Sequence, residues 1–209
     1  MNYIENIYVC LAAPLILAVL YLRGSSRRAL IFLLAGMTTC LLSAYISAFA
    51  TGALGVDFAA ASYEIAPVVE ECMKLLPILF YLIVFTPGPK EAISGVLMTA
   101  AGFATFENVC FLTDYGTSNL LRMVIRGFGT GAMHVACGVV VAAGLLLLWD
   151  MILPRAFGTF ALLCFVITFH AVFNIFVSQT GPVFWIGSSI PMTLLLGYLL
   201  FIRKRIRLF

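Results

Sequence analysis

Glu64-Ile-Ala-Pro-Val-Val-Glu70-Glu71-Cys72-Met73-Lys74-Leu-Leu-Pro77 leads without a break into an apolar run that ends at Phe85. Two carboxylates and an ammonium thus sit in a stretch otherwise apolar enough to span a bilayer, where a central charge costs about 2.5–3.5 kcal/mol on insertion scales. Such a cost is seldom carried without a use. On a helix Glu70 and Lys74 lie one turn apart (i, i+4) and Glu71 and Lys74 are i, i+3, while the two glutamates point about 100° apart. One glutamate can satisfy Lys74 and the other can face something else.

The rest of the chain is apolar in the same way. Of its 209 residues 63% are hydrophobic and 10% charged, and Leu, Ile, Val, Phe and Ala recur in blocks of about twenty, the pattern of a polytopic helical membrane protein. A soluble core is excluded. A transmembrane β-barrel would alternate over ten-residue segments, and these runs are continuously apolar. The net charge of +3 implies no nucleic-acid partner, because the basic residues sit in short loops and at the C-terminus. The six cysteines (Cys10, Cys40, Cys72, Cys110, Cys137 and Cys164) are singletons inside apolar runs and read as small buried hydrophobes. The start, Met-Asn-Tyr-Ile-Glu5, lacks the basic region of a secretory signal, so the first run is expected to be a retained span.

The expected fold is an all-α membrane bundle of about seven spans in a single transmembrane domain, 1–209. The spans fall at about 6–22, 29–51, 64–86, 92–113, 124–149, 158–179 and 183–202. Arg23, Arg27, Arg28, Lys90, Arg155 and the tail Arg203-Lys204-Arg205-Arg207 then share one side, against mainly Arg122 on the other, which puts the N-terminus outside and the C-terminus in the cytoplasm. Pro87-Gly88-Pro89 ends the third span in a tight turn. The Gly- and Ala-rich connection from Thr51 to Tyr63 is the longest and is placed to cover a site from outside. Glycines in Arg126-Gly127-Phe-Gly129-Thr-Gly131 are expected to let another helix approach closely. Short loops leave no room for a soluble domain, so chemistry must come from the spans themselves.

Four spans carry the intramembrane polar groups: Glu70, Glu71 and Lys74 on the third, Glu107 and Asn108 on the fourth, His134 on the fifth, and His170 with Asn174 on the sixth. At ~1.5 Å rise per residue, Glu70 lies about 9 Å and His134 about 15 Å from the outer side, and Glu107 and His170 climb about 22 Å and 18 Å from the cytoplasmic side of a core about 30 Å thick. All four reach the outer half, which implies one buried constellation. Its residue types suit hydrolysis. Imidazole and carboxylate are the usual ligands of a catalytic zinc, with a Glu beside the bound water as general base. A metal-free Glu–His pair can also activate water, with His170 and Asn174 donating to an oxyanion. Spacing alone leaves both open, and leaves open a purely structural role as interhelical hydrogen bonds and an ion pair. Arg126 is expected to snorkel or to pair with a carboxylate such as Asp114.

At these residues the sequence resembles the PrsW family of intramembrane proteases, relatives of the CAAX prenyl endopeptidases and the bacterial Abi proteins. The resemblance rests on Glu70-Glu71-Cys-Met-Lys74 for the family's EExxK, Gly102-Phe103-Ala-Thr-Phe-Glu107-Asn108 for its GFAxxEN, His134 in the following span, and His170-Ala-Val-Phe-Asn174 for its last element. It covers about residues 60–180 in unbroken order. Where the prenyl endopeptidases resemble FxxxH, this chain has Phe103-x-x-x-Glu107, so their water-activating His does not carry over and either Glu107 or His134 takes that role.

Membership implies a multi-pass metalloendopeptidase of a bacterial cell membrane that cuts a membrane-anchored protein, such as an anti-sigma factor, near the outer face. It also implies an active-site set of Glu70, Glu71, Glu107, His134 and His170, to which the oxyanion reading of the residues adds Asn174. The expected cofactor is a divalent metal, zinc foremost, held by His134 and His170 with one or more of Glu70, Glu71 and Glu107. A second reading is a non-catalytic membrane scaffold or chaperone, since the same superfamily includes the Aph subunit of γ-secretase. A coupled carrier is disfavoured because paired broken helices are missing. The enzyme reading further predicts an outward, water-filled cavity lined by Glu70, Glu71, Glu107, His134 and His170, with the third helix loosened at Pro77.

Overall fold

The computed structural model describes residues 4–116, 120–149 and 151–202. The basic tail from Arg203 onward, on which part of the charge argument rests, lies outside the described residues. Within them the chain forms α1 (Ile4–Tyr21), α2 (Gly24–Leu54), α3 (Phe58–Glu64), α4 (Ala66–Phe85), α5 (Pro89–Tyr115), α6 (Leu120–Leu148), α7 (Ile152–Ser178) and α8 (Pro182–Gly197), the last continuing into a π turn at Tyr198–Ile202. Six of these, α1, α2, α5, α6, α7 and α8, are long and apolar enough to cross a membrane. The expected third span is α4, 20 residues long and bearing Glu70, Glu71 and Lys74.

Local signals explain where the helices stop. Gly55, at φ 64°, closes α2 in the left-handed conformation that glycine adopts without cost. The connection expected as a loop from Thr51 to Tyr63 is instead the end of α2 followed by α3, because the Asp57 carboxylate accepts from the N–H groups of Ala59 and Ala60 and caps a new helix. Thr86 ends α4 and Pro89 opens α5, as the Pro-Gly-Pro turn predicts. α4 itself runs unbroken through Pro77.

α2 and α5 share the most extensive helix interface, and two glycines make it possible. A Cβ on Gly36 would lie 2.0 Å from the Thr99 carbonyl oxygen, and one on Gly102 would lie 2.0 Å from that of Leu33. The helices therefore meet backbone to backbone. Of the glycines in the Arg126–Gly131 stretch, only Gly129 meets another helix closely: its Cβ would stand 3.1 Å from the Ser188 carbonyl of α8, whereas a Cβ on Gly131 would meet nothing within 4 Å. Phe32, Ile78, Leu82, Ile93, Val96 and Leu145 form an apolar core at one end of the bundle. At that end Arg28 at the start of α2 pairs with Glu91 at the start of α5, and Arg155 at the start of α7 donates to the Trp149 carbonyl just past α6. The opposite end holds the site.

Candidate active site

α4 carries Glu71 and Lys74 on its inward face, and their i, i+3 spacing brings Lys74 Nζ to 2.6 Å from Glu71 Oε1. Both side chains are buried. The same Nζ lies 2.8 Å from His134 Nδ1 on α6. Lysine is only a donor, so this contact makes Nδ1 an acceptor and leaves the ring proton on Nε2. His134 Nε2 in turn lies 2.6 Å from Glu107 Oε2 on α5, donating to it. From α7, His170 donates Nδ1–H to Glu71 Oε1 at 2.8 Å. Glu107, His134, Lys74, Glu71 and His170 thus form one continuous chain of hydrogen bonds across four helices. His134 is 0% and His170 1% exposed, and their rings meet edge to face with centroids 5.1 Å apart.

Glu70, one residue along α4, takes the other role left open by the spacing. It makes no pair with Lys74. Its Oε2 is buried with no hydrogen-bond partner and stands 3.7 Å from His170 Nε2, the nitrogen left as an acceptor once Nδ1 donates to Glu71. Two acceptors therefore face each other beyond hydrogen-bond distance, an arrangement that calls for an electropositive partner between them. One ligand atom each from Glu70, His134 and His170 lies within 4.8 Å of the others, so this donor set fits a divalent cation. Of the expected carboxylate ligands, Glu70 belongs to this grouping, while Glu71 and Glu107 spend an oxygen on the ring N–H of His170 and His134. Those bonds are of the carboxylate–histidine type that orients metal ligands.

Phe103 supplies the apolar wall. Its fully buried ring lies 5.0 Å from the His134 ring, and Lys74 Nζ sits 5.0 Å from its centroid. Arg126 reaches Glu107 rather than resting on the surface: Nη1 donates to Asn108 Oδ1 at 3.1 Å, Nη2 stands 3.8 Å from Glu107 Oε1, and the guanidinium stacks 3.3 Å over the Phe111 ring. Asn108 also donates to the Gly127 carbonyl at 3.3 Å, tying α5 to α6 beside Glu107. Cys137 packs against Met133 and the Val166 carbonyl, and all six cysteines are free.

A cavity of about 550 Å³ opens above this network, with Glu70 and Glu107 in its floor and Arg122, Arg126, Asn174 and Phe184 among its walls. The expected lining of five catalytic groups is thereby corrected. Glu71, His134 and His170 do not line this cavity, because the imidazoles are covered by Glu70, Glu107 and Phe103 and the Glu71 carboxylate is turned to Lys74. Asn174 does line it, and its Nδ2 donates to the Ser62 carbonyl at 2.8 Å, so it anchors α3 to α7. Arg122, stacked 5.0 Å over Phe184, is a cavity residue that span-level reasoning passed over as a topology marker.

Compared with known protein families, residues 24–202 match the model described as PrsW family intramembrane metalloprotease. No curated protein and no solved structure matches.

Proposed function

The chain belongs to the PrsW family of intramembrane metalloproteases, and from that premise we propose that it cuts a membrane-anchored protein in the cavity between α4, α5, α6 and α7, with Glu70, Glu107, His134 and His170 as the reacting set. The observation that carries this reading is the facing pair of Glu70 Oε2 and His170 Nε2, two buried acceptors of which Glu70 lines an open polar cavity and His170 lies covered behind it. A scaffold that only knits helices has use for Lys74 between Glu71 and His134. It has none for an unpartnered carboxylate oxygen, which costs stability wherever it is buried.

Glu70 and His170, with His134 as third group, would hold a divalent metal, zinc by its preference for such donors. A metal bound there supplies Lewis acidity toward water and the scissile carbonyl. The protein's own residues do the rest. Glu107 faces the cavity with one carboxylate oxygen on His134 Nε2–H and the other beside Arg126, a position from which it takes a proton from water and passes it to the leaving amine. Lys74 keeps His134 in the Nε2–H tautomer, and Glu71 keeps His170 with Nε2 toward Glu70. Recruiting His134 Nε2 to a metal costs its bond to Glu107, so Glu70 and His170 are the primary ligands.

The protein is a multi-pass protein of the bacterial inner membrane. We take α4 as a seventh span, since Glu71 and Lys74 neutralise each other and Glu70 turns to the cavity. Arg28, Lys90 and Arg155 gather at the end away from the cavity; with positive residues inside, the cavity opens on the outer face and the N-terminus lies outside. The substrate is then a protein with a span and an extracytoplasmic segment, an anti-sigma factor being the class the family suggests. The test compares Glu70→Gln and Glu107→Gln in the host. Each is expected to fold normally while one membrane protein accumulates uncut, and turnover at the wild-type rate in both would overturn the reading.

A further inference from the structure

At the end of the bundle remote from the cavity, the first turns of α2 and α5 enclose a second recess, of about 180 Å³. Ser25 and Arg28 of α2 face Lys90 and Ser94 of α5 across it, and the rings of Phe32 and Tyr81, 4.9 Å apart and edge to face, lie at its base. None of these groups serves the hydrolytic site. Arg28 gives one nitrogen to Glu91 at 2.5 Å, a pair nearly half exposed on both sides and so only weakly held. Lys90 has no acidic partner among the described residues, and the hydroxyls of Ser25 and Ser94 make no hydrogen bond there. Thr99, further along α5, shows the alternative by folding its hydroxyl back onto the Gly95 carbonyl. Neither helix start has a side-chain cap, and the positive ends of two helix dipoles lie beside the basic pair. Arg23 and Arg27 add two further cations to the same short segment of sequence.

We propose that this recess binds the phosphodiester headgroup of an anionic phospholipid. The location selects a lipid over a soluble anion. The recess lies at the start of α2 and near the end of α4, and Ile31 on α2 with Val84 and Phe85 in the last turn of α4 are more than 40% exposed, so acyl chains attached to the phosphate continue along surface already suited to them. The mixed lining fits as well: cations and hydroxyls at the top for the phosphate, aromatic rings beneath for the glycerol and first methylenes.

Native mass spectrometry of the full chain released from phosphatidylglycerol–phosphatidylcholine nanodiscs tests this. Wild-type protein is expected to retain phosphatidylglycerol, and Arg28→Gln/Lys90→Gln to retain it roughly thirtyfold more weakly, from about a fivefold loss per charge. Arg28→Lys/Lys90→Arg keeps the charges and should keep the lipid, which preserves the test if the neutral variant fails to fold. Glu91→Gln removes the competing carboxylate and should tighten retention, whereas a merely structural Arg28–Glu91 pair predicts no gain. Equal retention by a folded neutral double variant, or displacement of the lipid by millimolar inorganic phosphate, would overturn the assignment.

Discussion

His170 donates its Nδ1–H to Oε1 of Glu71 at 2.8 Å, on the same oxygen that Lys74 approaches at 2.6 Å. One carboxylate oxygen therefore both neutralises the buried ammonium and decides which nitrogen of His170 is left to face Glu70. Structural pairing and site chemistry meet at that atom.

Metal affinity should follow this division. Glu70→Gln and His170→Ala remove the two facing acceptors and are expected to weaken divalent-metal binding by well over tenfold, as loss of a direct ligand does. His134→Ala should weaken it less, because both nitrogens of that ring are already engaged with Lys74 and Glu107. Elemental analysis after dialysis against a metal buffer measures the order. Metal retained in full by Glu70→Gln would remove that residue from the ligand set.

Stability should separate Glu71 from Glu70. Glu71→Gln leaves Lys74 buried without its counter-charge, at a cost of about 3–5 kcal/mol. Adding Lys74→Met removes the stranded charge and should recover a large part of that loss. Glu70→Gln replaces an oxygen that has no partner and should leave the detergent melting temperature within a few degrees of wild type. If Glu70→Gln unfolds the protein as Glu71→Gln does, the polar cluster is a structural lock and the scaffold reading gains.

The glycine pair at the α2–α5 crossing makes a prediction free of any catalytic assumption. Gly102→Ala or Gly36→Ala drives a methyl to 2.0 Å from a carbonyl oxygen on the facing helix, and backbone must move, at about 3 kcal/mol or more. Gly131→Ala meets nothing within 4 Å and lies inside α6, so it should be neutral or add up to about 1 kcal/mol. Thermal melts of the three variants give the comparison. Because Gly102 lies five residues before Glu107 on α5, its alanine variant should also lose activity.

The level of the site was readable in the sequence because depth in a membrane helix is a matter of counting, and the ~1.5 Å rise put Glu70, Glu107, His134 and His170 at one height. Which glutamate pairs with Lys74 was not, since i, i+3 and i, i+4 are both acceptable on α4. The choice rests on His134 and His170, supplied by other helices. Arg126 is expected from sequence to snorkel or to pair with a carboxylate such as Asp114, and the packing of α5 on α6 brings it to Asn108 and to the carboxylate of Glu107. The three glycines after Arg126 look equivalent in sequence, and only the position of α8 distinguishes Gly129. α3 could have been found, for Asp57 before Phe58 is an N-cap signal that the Gly- and Ala-rich surroundings obscured.

Access to the site is the strongest remaining test, because hydrolysis requires water at Glu70 and Glu107, and both line the same open cavity. The cavity of about 550 Å³ is bounded by the starts of α4, α6 and α8 and the ends of α5 and α7. Below it Phe103 and Met133 are fully buried, and the next opening beside Lys74 and Cys137 is only about 30 Å³, room for about one water. At the other end, Ile78, Leu82, Ile93 and Leu145 pack as continuous core. In a variant whose native cysteines are replaced, Met123→Cys in the cavity wall should react with a membrane-impermeant thiol reagent from the outer side alone. Ala142→Cys, buried in the apolar core, should react from neither side, and Ser94→Cys at the remote recess should react from the cytoplasm alone. Labelling of position 123 from the cytoplasm would invert the orientation, and with it the placing of the cut on the extracytoplasmic side. Protection of position 123 from both sides would mean that the cavity is closed by lipid or protein in the membrane, leaving Glu107 without the water it is proposed to activate.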